Sequence, residues 1–170
     1  MKVSLLSLAL LLPGLLLAQL PDPGSPAEEV VLEMISSVNL RDLDSLDAFV
    51  AEDVHRYCDA TPELTIESLE QFKAFLQQDF AGVPDSVISV NQIFSADNMV
   101  AVHATYAGIQ SGPMGPFPAS DKYVEISFIS TLRVEEGKIA EMWVEWDNLN
   151  IMMQLGHITP ESLFSSTTEE

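Results

Sequence analysis

The sequence predicts an α+β fold, helices first and a curved antiparallel sheet after them. Three observations carry this. Apolar residues recur at helical spacing between Pro26 and Gly82. From Ser86 the spacing changes to two, in four strand-like runs joined by short turns. A last helical segment, "NLNIMMQLG", follows the final strand. A meander packed by helices on one face curls around them into a cone, and the mouth of a cone suits a small-molecule site.

The elements follow in order. "MKVSLLSLALLLPGLLLAQL" has a charged start at Lys2, an apolar run and the small residue Ala18. This is the pattern of a signal peptide over residues 1–18, with export to the periplasm or beyond. The apolar run is short for a membrane span, which needs roughly 20 apolar residues. Residues 19–27 read as a linker that delivers Ser25 as an N-cap, Pro26 in the first turn and Glu28 three residues on. Val30, Val31, Met34, Ile35 and Val38 then mark a first helix. "LDSLDAFVAED" fits a second, with Asp44 as its cap, and "VHRYCD" is short and β-like. In the third helix Leu69, Phe72, Phe75, Leu76 and Phe80 form a stripe, Thr65 and Ser68 are cap candidates, and Gly82 and Pro84 end it. The first strand pair turns at "ADN" and the second at "EEGK", with a loop rich in glycine and proline, "GIQSGPMGPFPAS", between them. One domain over 28–158 and a mobile tail over 159–170 complete the reading.

Charge narrows the partners. With 26 acidic and 7 basic side chains the 170-residue chain carries −19. Such a chain repels nucleic acid and anionic membrane surfaces, so neither is expected as a partner. The single cysteine, Cys58, excludes an internal disulfide and reads as a packed apolar residue. Three scattered histidines and one cysteine have no metal-site spacing. No Gly-x-Ser-x-Gly elbow or phosphate-binding loop is present.

One carboxylate stands out. Asp147 lies between a strand containing Trp143 and Trp146 and a helix rich in methionine. It can cap that helix, or it can be the base of an apolar pocket. A capping hydrogen bond favours a carboxylate's ionised form, whereas apolar burial favours the neutral one. Alternation puts Ile139, Glu141, Trp143, Glu145 and Asp147 on one face, and Ala140, Met142, Val144 and Trp146 on the other. The second face is wholly apolar. If it points outward it needs a cover, and a homodimer through it is the expectation; if it is the core, the first face is solvated. Glu145, two residues from Asp147, is an accessory candidate. His103 shares a strand face with Met99, Ala101, Thr105 and Ala107 and reads as packed or catalytic.

The segment "LRVEEGKIAEMWVEWDNLNIMMQLG" resembles the C-terminal signature of the SnoaL-like polyketide cyclases, or ester cyclases. The matching positions are Arg133, Gly137, Lys138, Ile139, Glu141, Trp143, Asp147, Gln154, Leu155 and Gly156, and weaker agreement spans roughly residues 28–158. The resemblance implies a cone of the nuclear-transport-factor-two-like superfamily and a homo-oligomer, often through the sheet. It implies a general base at Asp147 that removes a proton next to a carbonyl, after which the enolate closes a ring. It implies no cofactor or metal. Where the family has the histidine of a Gly-Thr-His motif, this chain has Gln110, which can donate to an oxyanion but cannot shuttle protons. Where it often has a histidine after the second helix, Tyr57 stands nearest, with His55 close by.

The predicted site therefore comprises Asp147 as base, with Trp143, Gln110, Tyr57, Glu145 and His103 around a small apolar carbonyl compound. The alternative is a non-catalytic protein that holds an apolar ligand or a partner in the same cone.

Overall fold

The computed structural model describes residues 20–159. The predicted signal peptide, and all of the predicted tail except Thr159, lie outside the described residues. Helices α1 (Pro26–Asn39), α2 (Leu46–Phe49) and α3 (Leu69–Gly82) alternate with or precede β1 (Val50–Tyr57), and β2 (Val87–Ala96), β3 (Met99–Ile109), β4 (Tyr123–Glu135), β5 (Lys138–Trp146) and α4 (Asn148–Leu155) follow. The strands form one curved sheet in the order β1-β5-β4-β3-β2.

Local chemistry sets the element ends. Ser25 Oγ accepts from the Glu28 amide, and the Glu28 carboxylate returns to the Gly24 amide. Ser68 caps α3 by accepting from Gln71, whose side chain accepts from the Glu67 amide. Both are reciprocal caps. Ser45, not Asp44, starts α2, without a side-chain cap bond. That helix is a single turn, because the chain becomes extended at Val50 and enters β1. Residues read as the end of a helix are thus the start of a fifth strand, parallel to β5. The β4–β5 hairpin turns through Glu136 (φ 50°) and Gly137 (φ 78°), two left-handed residues in succession, as a tight hairpin demands.

The register sorts the sheet into an inner and an outer face. Arg56, Met142, Leu132 and Val100 form one inner row, and Trp146, Phe128, Ala104 and Val90 another. The inner face packs on α1 and α3, and Val31, Ile35, Phe72, Leu76, Leu132, Met142 and Val144 belong to one buried core. This corrects the expectation of a dimer face on Met142, Val144 and Trp146. Met142 and Val144 are buried beneath the helices, and Trp146 packs against the same core. Ile139 is buried too, although simple alternation put it with Trp143. The register slips between Arg133 and Val134 opposite β5, and such a bulge reverses the parity of the residues before it.

Helix α4 closes the other end. Its Ile151 and Leu155 pack on Val124 and Ile126, with Tyr106 and Trp146 alongside. Beyond the last β4–β5 pair, Phe128 with Trp146, the Glu125 backbone has no strand partner on that side. Gln154 replaces it, accepting from the Glu125 amide and donating to the Glu125 carbonyl, each at 3.0 Å. Gly156 ends α4 in the left-handed conformation.

Candidate functional site

Between the helices and the inner sheet face lies a cavity of about 120 Å³. Its wall is largely apolar, from Val31, Met34, Phe72, Val102, Leu132 and Met142 among others, and it is interrupted by a few polar side chains. Asp79, in the last turn of α3, is its one carboxylate among the described residues. The Tyr106 hydroxyl donates to both Asp79 oxygens, at 3.0 and 3.2 Å. Burial holds the Asp79 carboxyl above the usual aspartate range, against the opposing pull of the Tyr106 hydroxyl and of Arg41. Burial, then the Asp79 charge, pushes the Tyr106 phenol above its ordinary value. Tyr106 therefore stays protonated and serves as a donor.

Two arginines border the cavity, with different duties. Arg41 donates to the carbonyls of Val38, Asn39, Pro84 and Ser86 and lies 4.2 Å over the Phe80 ring. It fastens α1 to the segment after α3. Arg56 is 5 % exposed and lies over Phe75 and Trp146, at 4.6 and 5.4 Å from the ring centroids. Burial lowers its pKa, with Cys58 opposing, yet a guanidinium keeps its charge in a protein.

Asp147, Glu145 and His103 come together elsewhere. With Ser127, Ile129 and Asn148 they line an open depression on the outer sheet face, while Phe128 and Trp146 border both this depression and the cavity. Asp147 is exposed, and its Oδ1 accepts from the Asn150 amide at 2.9 Å. It is the N-cap of α4. Asn148, the other cap candidate at this join, donates to the Ala60 carbonyl.

The remaining three predicted residues line neither concavity. Trp143 stacks on Tyr57 at 5.5 Å, and Tyr57 on His55 at 6.2 Å, across the exposed outer face of β5 and β1. Gln110 is fully buried and donates to the carbonyls of Gly112 and Pro118. Its carbonyl oxygen lies 3.1 Å from His157 Nε2, and His157 packs on Phe117. Gln110 thereby pins the glycine- and proline-rich loop to the end of α4.

Asp79, Tyr106 and Arg56 lie outside the site predicted from sequence, although each carries a signal there. Asp79 interrupts the apolar stripe of α3 between Leu76 and Phe80. Tyr106 shares the parity of buried Val102 and Ala104, and Arg56 that of buried Val54 and Cys58.

A curved sheet wrapped around helices and an apolar cavity makes an α+β cone. The chain belongs to the SnoaL-like polyketide cyclase family, whose model matches residues 28–155. Among solved structures it is similar to TsrD from Streptomyces laurentii, with a TM-score of 0.71 and 20% identity over 81% of this chain and 100% of that one. IdmH from Streptomyces antibioticus gives a TM-score of 0.69 and 23% identity over 76% and 98% of the two chains. A SnoaL-like polyketide cyclase from Agrobacterium tumefaciens str. C58 gives 0.65 and 22% over 76% and 98%. These likenesses show the fold. No curated protein matches the sequence.

The signature residues of the family have physical duties here. Arg133 Nε pairs with Glu141 across β4 and β5 at 2.5 Å. Gly137 makes the turn between those strands, Asp147 caps α4, Gln154 clamps it to β4 and Gly156 ends it.

Proposed function

We propose that the chain is an exported cyclase-type acid–base enzyme, in which a carboxylate removes a proton next to the carbonyl of an apolar compound held in the cone. The observation that carries this reading is the Asp79–Tyr106 pair on the wall of an apolar cavity. A desolvated carboxylate is a stronger base than a solvated one, and a base is most effective as its pKa approaches the working pH. Asp79 takes the proton. Tyr106, held by its hydrogen bond, fixes the carboxylate's orientation. The enolate then attacks a second carbonyl within the same molecule, the alkoxide so formed takes the proton back from Asp79, and the cavity wall holds the chain folded for that attack.

A second reading places the base at Asp147, with Glu145 and His103 beside it. The family's motif position and the grouping of these three around one depression favour it. Neither reading uses a metal or cofactor.

Deuterium incorporation into phenylacetone in heavy water, followed by proton NMR, tests both. The wild-type protein is expected to accelerate exchange, and Asp79→Asn to lower the acceleration by about 10²–10⁴-fold while Asp147→Asn retains it. Loss with Asp147→Asn alone would move the base to the outer depression. No acceleration by the wild type, together with saturable binding of the ketone, would make the cone a binding protein.

A further inference from the structure

The polar side chains on the wall of the inner cavity are mostly engaged within the protein. Asn39 exchanges two hydrogen bonds with the Ile88 backbone, at 2.8 Å each. Arg41 donates to backbone carbonyls and to Ser86 Oγ. Ser130 Oγ donates to the Trp143 carbonyl, and Tyr106 donates to Asp79. Arg56 Nη1 and Trp146 Nε1 have no partner, but protein atoms enclose both. What the wall offers a ligand is therefore apolar contact, from side chains such as Val31, Met34, Leu132 and Met142. A charged ligand would leave water for that wall without a partner to offset the loss.

Size is the second constraint. At about 120 Å³ the cavity falls well below the roughly 300–1,000 Å³ of sites for drug-sized ligands. In another protein an apolar cavity of about 150 Å³ holds one benzene molecule. A body of two or more fused rings has no room here unless core side chains move. Val31, Leu132 and Met142 are buried in the main core, and close-packed interiors yield little to added volume.

We infer that the cavity is a site for an uncharged compound about the size of one ring, recognised by shape and apolar contact. The inference rests on the reading of the cavity as the ligand site and limits the substrate of the proposed reaction. A short-chain diketone meets the limit. Its terminal carbon loses a proton to Asp79 and bonds to the far carbonyl carbon, which closes a single ring. The proton returns to the new alkoxide, so the product is an isomer of the substrate and no co-reactant is consumed. A chain long enough to fold into a second ring does not fit.

The test titrates the full chain with cyclohexanone and with trans-1-decalone, a ketone that carries a second fused ring. Methionine methyl NMR locates the binding. Met34 and Met142 report on the cavity, and the exposed Met153 reports on the surface. Burial of apolar area alone favours the larger ketone by about 10²-fold. The wild type is expected to reverse that order: cyclohexanone shifts Met34 and Met142, and trans-1-decalone binds there at least about tenfold more weakly. Tighter decalone binding at those two methyls, cyclohexanone shifts confined to Met153, or no binding of either ketone would overturn the inference. Met142→Ala removes one wall side chain and is expected to raise decalone affinity relative to cyclohexanone by at least about tenfold. A folded variant that keeps the wild-type order would also overturn it, while the wild-type comparison needs no variant to fold. Turnover plays no part in this comparison. Size-limited binding without exchange catalysis would sink the enzymatic reading alone, and exchange catalysis with tighter decalone binding would sink this inference alone.

Discussion

Replacing Asp147 separates its capping duty from the role as base that the second reading gives it. Its Oδ1 satisfies the Asn150 amide, one of the N–H groups that a helix start leaves without an intrahelical partner. Helix α4 has eight residues, far below the length at which a helix is stable alone. It depends on this cap, on Gly156 at its other end, on the Gln154 clamp and on burial of Ile151 and Leu155. Alanine at an N-cap costs about 0.5–2 kcal/mol, whereas asparagine caps about as well as aspartate. For a domain of this size 1 kcal/mol moves Tm by about 2–4 °C, so Asp147→Ala is expected to lower Tm by about 1–8 °C and Asp147→Asn to leave it within about 1 °C. Thermal unfolding followed by circular dichroism at pH 7 reads both. An Asp147→Asn loss equal to that of Asp147→Ala would refute the capping argument, because then the charge and not the acceptor would carry the effect. If the asparagine variant is as stable as expected, any change in its catalysis belongs to chemistry.

Further predictions concern the interior acid and the family signature. Asp79 binds its proton more tightly in the folded protein than an ordinary aspartate does, so wild-type stability falls as pH rises from the ordinary aspartate range through the raised folded value. Asp79→Asn cannot titrate; its Tm relative to wild type is expected to rise across that window, and a difference constant with pH would contradict the burial argument. Gln154→Ala removes two hydrogen bonds to the Glu125 backbone and is expected to cost about 1–3 kcal/mol in urea unfolding, with raised amide exchange at Glu125. Gly156→Ala forces a side chain into the left-handed region, and its Cβ would also meet the Lys122 ammonium; a loss of about 1–2 kcal/mol is expected. No loss would mean that the end of α4 rearranges.

The fold was legible because its punctuation is chemically explicit. Ser25 with Glu28, Ser68 with Gln71, the Glu136–Gly137 turn and Gly156 each sit where the backbone needs that residue. Which sheet face lies inside was not legible. Trp143, Ile129 and Phe94 stand exposed on the outer face, so apolar residues occupy both parities, and alternation alone cannot choose between them. The bulge beside Val134 then moves Ile139 to the face opposite the one simple counting gives. The start of strand β1 was not legible because Glu52 and Asp53 are exposed and continue the polar–apolar pattern of the helix before them. The site divides similarly. The cap at Asp147 follows from its place before "NLNIMMQLG", whereas the meeting of Asp79 with Tyr106 joins residues 27 apart in sequence across helix and sheet. Only the packing of α3 on the inner face brings those two together.

The proposed chemistry needs a desolvated acid inside the cone. A carboxyl carbon NMR titration of the wild-type protein, with Asp79→Asn to identify the resonance, measures it directly. Asp79 is predicted to titrate above the ordinary aspartate range. Titration at or below that range would contradict the proposal, since a well-solvated or ion-paired Asp79 could not be the desolvated base proposed here.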